Sequence, residues 1–289
     1  MTKKKILITS MLMCIVTLVS SAQSKADLFV EYDYTHPDNR GIIKNDKMSL
    51  LASSEKSKFF NETSLWADSL RSTPGGEARY HEILNKACNV IRPDGSVATD
   101  LTRGPSKVIY TYIFTELGKE TVTVYDNYGL EDTSHYTEPI DEIQWNITMD
   151  SVKNVLGYDC ILAETDYHGR HWKAWFTSEL PLPFGPWKLR GLPGIILAAE
   201  TNSGFNFKAT ALGPTDRIMS TMYFADKYPQ KNRKKAQKDF DTFINNVQAI
   251  YNTQSGGRVQ VVWEDENGNP IEPIKYKAET HCIETDYNK

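Results

Sequence analysis

The sequence predicts a mainly β protein with a few helices, built as one large, twisted antiparallel sheet. Two observations support this fold class. Runs dense in β-branched and aromatic residues recur along the chain and are joined in pairs by short turn segments. Only a few stretches show the spacing of apolar residues that is typical of a helix.

The first 22 residues have the three parts of an export signal. Lys3 to Lys5 give a positive start, and residues 6–19 are apolar but shorter than the roughly 20 residues that span a bilayer. Small residues at 20–22 then form a cleavage site. We expect residues 1–22 to be a signal peptide, with an uncleaved membrane anchor as the alternative. Residues 23–289 are expected to form a single β-rich domain that is periplasmic or secreted.

The charge of the chain argues against nucleic acid as a partner. The sequence has 33 basic and 37 acidic residues, a net charge of −4, and removal of the signal peptide would take away three lysines. Neutralising phosphates requires a basic surface, which this balance does not provide. No segment after the signal is long and apolar enough to predict a transmembrane span.

Paired runs of strand-forming residues justify the sheet. Turn segments at 116–119, 167–170 and 201–204 separate three of the pairs, and each pair is predicted to form a β-hairpin. In chain order the predicted strands are 28–34, 47–52, 107–114, 120–125, 143–148, 151–156, 160–166, 171–177, 195–200, 205–211 and 258–263.

Three stretches predict helices. They are residues 64–70, 77–91 and 231–251. In the last stretch Phe240, Phe243 and Val247 fall on one face at helical spacing, so this helix is expected to pack against the sheet. Residues 95–105 are expected to form a loop.

A segment rich in proline and glycine interrupts the strands after residue 180. Pro181 and Pro183 cannot donate hydrogen bonds to a sheet, so the sheet must break there. One interpretation is a structural crossover in which Trp187 and Leu192 plug one end of the core. The alternative is the rim of a ligand pocket, since ligand sites are apolar clefts with a few placed polar groups.

The pocket interpretation defines a candidate ligand site. Because strand side chains alternate, Trp172, Ala174 and Phe176 are expected to face the core and Trp175 the other side. Arg170 is the candidate polar anchor, and three tryptophans are candidate apolar walls. The full set of candidate residues is Arg170, Trp172, Trp175, Pro186, Trp187, Gly191, Leu192, Pro193 and Gly194.

Several of these residues also carry a resemblance to a known family. The chain reads Gly-Tyr-Asp-Cys at 157–160, Gly-Arg-His-Trp-Lys-Ala-Trp-Phe-Thr at 169–177, Gly-Pro-Trp at 185–187 and Gly-Leu-Pro-Gly-Ile-Ile at 191–196. It resembles the GLPGLI family, exported proteins of Gram-negative bacteria, with Ile195 in place of the leucine of the motif. The resemblance implies a signal peptide and a β-rich body but no established reaction. At the level of fold it is similar to lipoprotein carriers, which have a sheet curved into a half-barrel.

The cysteines leave the disulfide question open. Cys88, Cys160 and Cys282 remain after the signal peptide, so at most one intramolecular pair can form among them. Their spacing does not choose a pair. No Cys-x-x-Cys motif is present, and no metal or other cofactor is predicted; His168 and His171 are interpreted as solvated turn residues.

A basic cluster precedes the last predicted helix. Lys231, Arg233, Lys234 and Lys235 could contact anionic lipid headgroups at a membrane surface. The alternative is a solubilising flank of an amphipathic helix.

No catalytic motif is present. The sequence has no Gly-x-Ser-x-Gly elbow, no His-Glu-x-x-His and no phosphate-binding loop. We therefore favour non-catalytic binding of an apolar or amphipathic ligand, or of a partner protein, in the cell envelope. One alternative is a hydrolase-like enzyme with a site assembled only in three dimensions. Another is a docking module whose exposed apolar patch lies around Leu182, Phe184 and Leu192.

Overall fold

The fold is taken from a computed structural model of the 289-residue chain. It describes residues 24–38, 41–91, 95, 97–99, 103–107, 109–119, 121–128, 132–140, 143–219, 222–257, 269, 271–272 and 277–288. The predicted signal peptide and the predicted strand at 258–263 lie outside these residues.

The described chain is mostly β, with one 11-stranded sheet in which all neighbouring strands are antiparallel. The strand order is β8-β7-β6-β3-β2-β1-β13-β12-β11-β10-β9, and the sheet is not closed. This confirms the predicted fold class. The strands are β1 Leu28–Pro37, β2 Ile43–Ala52, β3 Lys56–Phe60, β4 Asn89–Ile91, β5 Val97–Thr99, β6 Tyr112–Glu116, β7 Thr121–Asn127, β8 Thr133–Pro139, β9 Asn146–Val155, β10 Tyr158–Tyr167, β11 Arg170–Thr177, β12 Ile195–Thr201 and β13 Asn206–Pro214, with β4 and β5 forming a separate pair.

The helices lie in two groups along the chain. The first group begins with a side-chain cap, because Asn61 accepts a hydrogen bond from the backbone of Ser64. No helix among the described residues is long and apolar enough to cross a membrane. The helices are α1 Glu62–Arg71, α2 Gly76–Cys88, α3 Arg233–Asn245, α4 Val247–Ser255 and α5 Ala278–His281.

The structure corrects several predicted boundaries. The predicted helix 231–251 is two helices, because the backbone at Asn246 leaves the helical conformation (φ −125°, ψ 17°). The predicted strands 143–148 and 151–156 form one strand, β9, and residues 107 and 109–111 precede β6 rather than belonging to it. β3, β4, β5 and β8 were not among the predicted strands, since residues 89–91 were expected to end a helix and residues 97–99 to lie in a loop. β8 alternates buried and exposed side chains, and its tyrosine and threonine residues are too few to mark it clearly.

The two faces of the sheet have different partners. We call the face that carries Val30, Leu50 and Trp172 the inner face, since these side chains belong to the largest core cluster. The opposite, outer face carries Leu51 and Phe60, which pack with residues of α1 and of the chain after β13. Alternation along each strand sends successive side chains to these two faces.

Residues 178–194, which join β11 to β12, cover part of the inner face; we call them the crossover segment. Its side chains Phe184, Trp187, Leu189 and Leu192 are buried in the inner core. The segment is tied to the sheet where β12 begins, since the amide of Ile196 donates to the carbonyl of Phe184 at 3.0 Å. This position supports the interpretation of the segment as a structural crossover that plugs one end of the core.

Candidate functional site

The remaining part of the inner face borders a cavity of approximately 770 Å³. Its floor is formed by apolar side chains of the sheet, including Met48, Phe59 and Ile113. Its roof is formed by α3, through Phe240 and neighbouring side chains, and by His281 of α5 with the residues that follow it. The lining residues of these roof elements are Gln237, Phe240, Phe243, Ile244, His281, Cys282, Ile283 and Glu284.

Stacked aromatic rings form the border between the cavity and the crossover segment. Tyr34 lies flat against Phe207, with ring centroids 4.4 Å apart and an interplanar angle of 7°. Trp187 also lines the cavity and stacks on Trp172 behind it at 5.4 Å. Aromatic side chains provide large, rigid apolar surfaces, so this wall is suited to contact with an apolar ligand.

Polar groups enter the cavity at separate places. At one place His36 Nε2 lies 2.7 Å from Asp46 Oδ2, which pairs the two side chains. At another, Asp126 follows Val122 and Val124 on the inner face of β7 and points its carboxyl group toward the cavity. Burial raises the pKa of Asp126 to about 6, against the hydrogen bonds it accepts. The site is therefore an apolar cavity with a few placed polar groups.

A network of buried ions stands at one end of the cavity. Lys188 of the crossover segment contacts Glu138 at 2.7 Å and Glu284 at 2.8 Å. Arg233 of α3 contacts Glu138 at 3.2 Å and Glu284 at 2.5 Å, and it reaches Asp286 at 2.5 Å. The network therefore joins the crossover segment, β8, α3 and the C-terminal residues.

His168 completes this ion network. Its two ring nitrogens lie 3.4 Å from Glu138 and 3.1 Å from Asp286. His168 occupies the tight turn between β10 and β11 with a positive φ of 49°, followed by Gly169 at 79°, which is typical of a hairpin turn. The hairpin predicted from sequence thus delivers this imidazole to the network.

The ion network holds its carboxyl groups in the ionised form. Burial works against ionisation of Glu138, but the close approach of the His168 ring and the charge of Lys188 outweigh it and lower the pKa of Glu138 to about 2. For Asp286, burial is likewise outweighed, chiefly by the hydrogen bonds from Arg233 and His168, and the pKa is about 2. The pKa of Glu284 is also lowered, because the charge of Lys188 overcomes its burial.

Three members of this network could in principle ligate a metal. The ligand atoms of His168, Glu284 and Asp286 lie within 4.8 Å of one another. However, both carboxyl groups are contacted by Arg233, and Glu284 also by Lys188. A divalent cation would have to compete with these two cations, so the arrangement fits an internal ion-pair network better than a metal site.

Acidification should weaken the fold through this network. The folded-state pKa values of Glu138 and Asp286 lie below their ordinary values, so their stabilisation is complete above about pH 4.5 and is lost as the pH falls toward about 2. We expect urea unfolding to show a loss of about 2 to 3 kcal/mol from Glu138 in this interval. In a Glu138→Gln variant the acid-dependent loss should be smaller by that amount. An unchanged acid profile in this variant would contradict the prediction.

The structure brings together some of the predicted site residues and separates others. Trp172 and Trp187 stack, but only Trp187 lines the cavity. Arg170 is buried below the cavity lining, where its guanidinium donates to the carbonyl of Cys282 and lies 5.1 Å from the Phe205 ring centroid. It therefore supports the lining instead of projecting into the cavity as an anchor.

Trp175 is a correction to the predicted pocket wall. β11 alternates, so Trp172, Ala174 and Phe176 are buried on the inner face, as predicted, while Trp175 lies on the opposite face. There the ammonium group of Lys153 lies 5.2 Å from its ring centroid. Because Trp175 and Trp187 lie on opposite sides of the sheet, they cannot line the same pocket.

The other predicted residues belong to the crossover segment and do not line the cavity. Pro186, Leu192 and Gly194 are buried, whereas Gly191 and Pro193 are exposed at the turn before β12. Phe184 and Leu192 are each only 1% exposed. Two of the three residues of the apolar patch that the docking interpretation requires are therefore buried in the core, and the third, Leu182, is half-buried against it.

The described cysteines are free thiols in the structure. Cys88, Cys160 and Cys282 are all buried, and each contacts different neighbours. Burial also raises the pKa of Cys160 to about 11, which disfavours a reactive thiolate.

The basic cluster is largely neutralised within the protein. Lys231 contacts Asp132 at 2.5 Å and Asp239 at 2.8 Å, and Lys235 also contacts Asp239. Arg233 is part of the ion network. These contacts leave Lys231 and Arg233 only partly exposed, whereas Lys234 and Lys235 are exposed at the surface on which a membrane contact would depend.

Sequence reasoning missed the residues that give the site its charges. None of Lys188, Asp126, Glu138 and Glu284 is among the residues predicted for the site. One signal was available for Lys188, because a lysine inside a segment that otherwise buries apolar side chains needs an ionic partner. For Asp126 the signal was its phase, since it follows Val122 and Val124 at the two-residue period of the buried face.

The arrangement as a whole defines a class: an open antiparallel sheet with a cavity on its inner face. No protein-family model matches the chain, and no curated protein matches it in sequence. Among solved structures, the chain is similar to PNGF-II in two crystal forms, with TM-scores of 0.48 and 0.49 at 15% and 14% identity, over 74% of this chain. The chain spans about a third of the PNGF-II length (32% and 33%).

A third structure is an outer membrane lipoprotein-sorting protein domain from Vibrio parahaemolyticus. It matches with a TM-score of 0.24 and 8% identity, over 74% of this chain and 93% of that domain. These three likenesses concern the general fold and carry nothing about function.

Proposed function

We propose that this chain is an exported, non-catalytic binding protein that holds an apolar or amphipathic molecule in the cavity on its inner face. The cavity carries the proposal. Its volume of approximately 770 Å³ falls in the range of small-molecule sites, and most of its floor is apolar. We further propose that the chain is a member of the GLPGLI family and acts in the periplasm or outside the cell, on the strength of the motifs and the signal described above.

The ion network supports binding over catalysis. Its charged groups converge, but Lys188, Arg233 and the three carboxyl groups are engaged with one another. A catalytic acid or base needs a pKa near the working pH and access to a substrate. The pKa values of Glu138 and Asp286, about 2, do not meet the first condition.

Binding of the apolar dye Nile red tests the proposal. The wild-type protein should raise the fluorescence of the dye, and Ile109→Trp, which adds an indole to the cavity lining, should reduce its affinity by about tenfold. Val152→Trp adds the same ring at an exposed position of β9 and serves as the matched control. An absence of binding by the wild type, or equal losses in the two variants, would refute the proposal.

A further inference from the structure

The cavity contains one carboxyl group whose charge is not balanced by an ion pair among the described residues. Asp46 is paired with His36, and Glu284 with Lys188 and Arg233. Asp126, the third acidic residue of the lining, has no lysine, arginine or histidine within ion-pair distance in the part of the chain that the structure describes.

The carboxyl group of Asp126 is held in place from one side. Thr111 Oγ1 donates to its Oδ2 atom at 2.6 Å, and the backbone amide of Asn127 donates to its Oδ1 atom at 2.7 Å. A carboxylate has about four lone-pair positions, so two donors leave acceptor capacity directed toward the cavity. Burial of such a group is costly unless a partner arrives, which points to a ligand that supplies one.

Aromatic rings of the lining also suit a cation. Tyr128 lies two residues after Asp126, belongs to the inner-face core cluster and lines the cavity. Ring faces attract ammonium groups, and the attraction is stronger where water is excluded. The floor beyond them, with Met48, Phe59 and Ile113, offers apolar contact for a chain or ring attached to that cation.

From this juxtaposition we infer that the ligand is a cationic amphiphile, whose amine is held by Asp126 and whose apolar part lies against the floor of the cavity. This inference rests on the proposed function, because it assigns the chemical class of the molecule that the cavity binds. An anionic amphiphile is disfavoured, since it would place a second negative charge beside Asp126.

Binding of a cationic ligand at Asp126 should depend on pH, and other charged groups near the cavity affect this dependence. Lys107 and Glu284 act on the charge of Asp126 from the chain before β6 and from the roof. His36, Lys44, Asp46 and His281 face the same cavity from β1, β2 and α5. The pKa of Asp126 is about 6, so its carboxyl group is ionised above that pH. The amine should therefore bind best above about pH 6 and more weakly below it.

A matched pair of ligands tests the inference on the full chain: decylamine, which stays cationic, and decanol, which is neutral and has the same chain length. At about pH 8 decylamine should bind the wild type about tenfold more tightly than decanol, as measured by displacement of Nile red. Asp126→Asn should remove this preference by weakening decylamine binding relative to decanol binding about tenfold. Asp46→Asn, which alters a carboxyl group already paired with His36, should keep the preference.

The pH profile of the wild type provides a second measurement that needs no variant to fold. The ratio of the two affinities should fall as the pH is lowered from about 8 to about 5, and it should fall by more in the wild type than in Asp126→Asn. Equal binding of both ligands by the wild type, or an undiminished preference in Asp126→Asn, would overturn the inference while the cavity function stands. Failure of Nile red and both ligands to bind would instead reject the proposed function itself.

Discussion

Lys188→Met is expected to lower the free energy of unfolding by about 3 to 5 kcal/mol, because it removes one partner of a buried ion pair. The side chain of Lys188 is 0% exposed, and those of Glu138 and Glu284 are 11% and 3% exposed. Methionine occupies a similar volume, so little packing is lost. The cost comes from leaving two carboxylates with less compensation in surroundings that solvate them poorly.

Urea unfolding at about pH 7 measures this cost, and an exposed lysine provides the control. Lys173 contacts Glu164 at 3.6 Å with half of its side chain exposed, so Lys173→Met should cost less than about 1 kcal/mol. The double variant Lys188→Met with Glu284→Gln should lose less than the sum of its single changes, since it removes a carboxylate that would otherwise be uncompensated. Equal losses for the two lysine variants would show that the network contributes little.

The ion network joins four parts of the chain, so the loss of one ion pair should destabilise more of the fold than its own contact. Lys188 comes from the crossover segment, Glu138 from β8, Arg233 from α3 and Glu284 from the C-terminal residues. Both α3 and the C-terminal residues form the roof of the cavity. A ligand that enters the cavity must fit beneath elements that these ion pairs fix, so the network couples the stability of the roof to binding.

Local patterns were sufficient to predict a large antiparallel sheet and its three hairpins. The alternation of Trp172, Ala174 and Phe176 with Trp175 determines which side of β11 is buried, and the structure confirms it. The hairpin turn at His168 and Gly169 needs only residues adjacent in sequence. Features of this kind depend on neighbours along the chain, and these neighbours are visible in the sequence.

The site was harder to predict because it depends on contacts between distant residues. The hydroxyl of Tyr136 contacts Glu284, which is 148 residues away, and Lys188 lies over the same tyrosine ring at 5.0 Å. No local period indicates that β8, the crossover segment and the C-terminal residues meet. Trp175 was kept among the candidate walls although it was predicted on the face opposite Trp172, and it does not line the cavity in the structure.

Gly194→Ala is expected to reduce stability by at least about 3 kcal/mol, because overpacking against a fixed backbone cannot be relieved by a side-chain movement. A Cβ atom at this position would lie 1.9 Å from the carbonyl oxygen of Thr177 and 3.0 Å from the Cα atom of Ser178. These are the points where the crossover segment begins after β11, while Gly194 is where it ends before β12. The two ends of the segment therefore touch, and glycine permits that approach.

Separation of the two ends of the crossover segment would shift the functional side chains that lie between them. The amide of Ile195 donates to the carbonyl of Leu180 at 3.0 Å, next to the contact of Gly194 with Thr177. Between these ends lie Trp187, which borders the cavity, and Lys188, which holds the ion network. A wider gap would strain both, so the effect of one added methyl group should extend beyond its own contact.

Gly213→Ala is the matched control, because Gly213 lies in β13 with no atom within 4 Å of an added Cβ atom and has no positive φ. It should be neutral or stabilise the protein by up to about 1 kcal/mol, since alanine restricts the unfolded chain. Urea unfolding of both variants, with Nile red binding as a readout of the cavity, compares them directly. If Gly194→Ala unfolds at the same urea concentration as Gly213→Ala, the fold tolerates a side chain at residue 194. The prediction that stability depends on the close backbone approach at Gly194 would then be wrong.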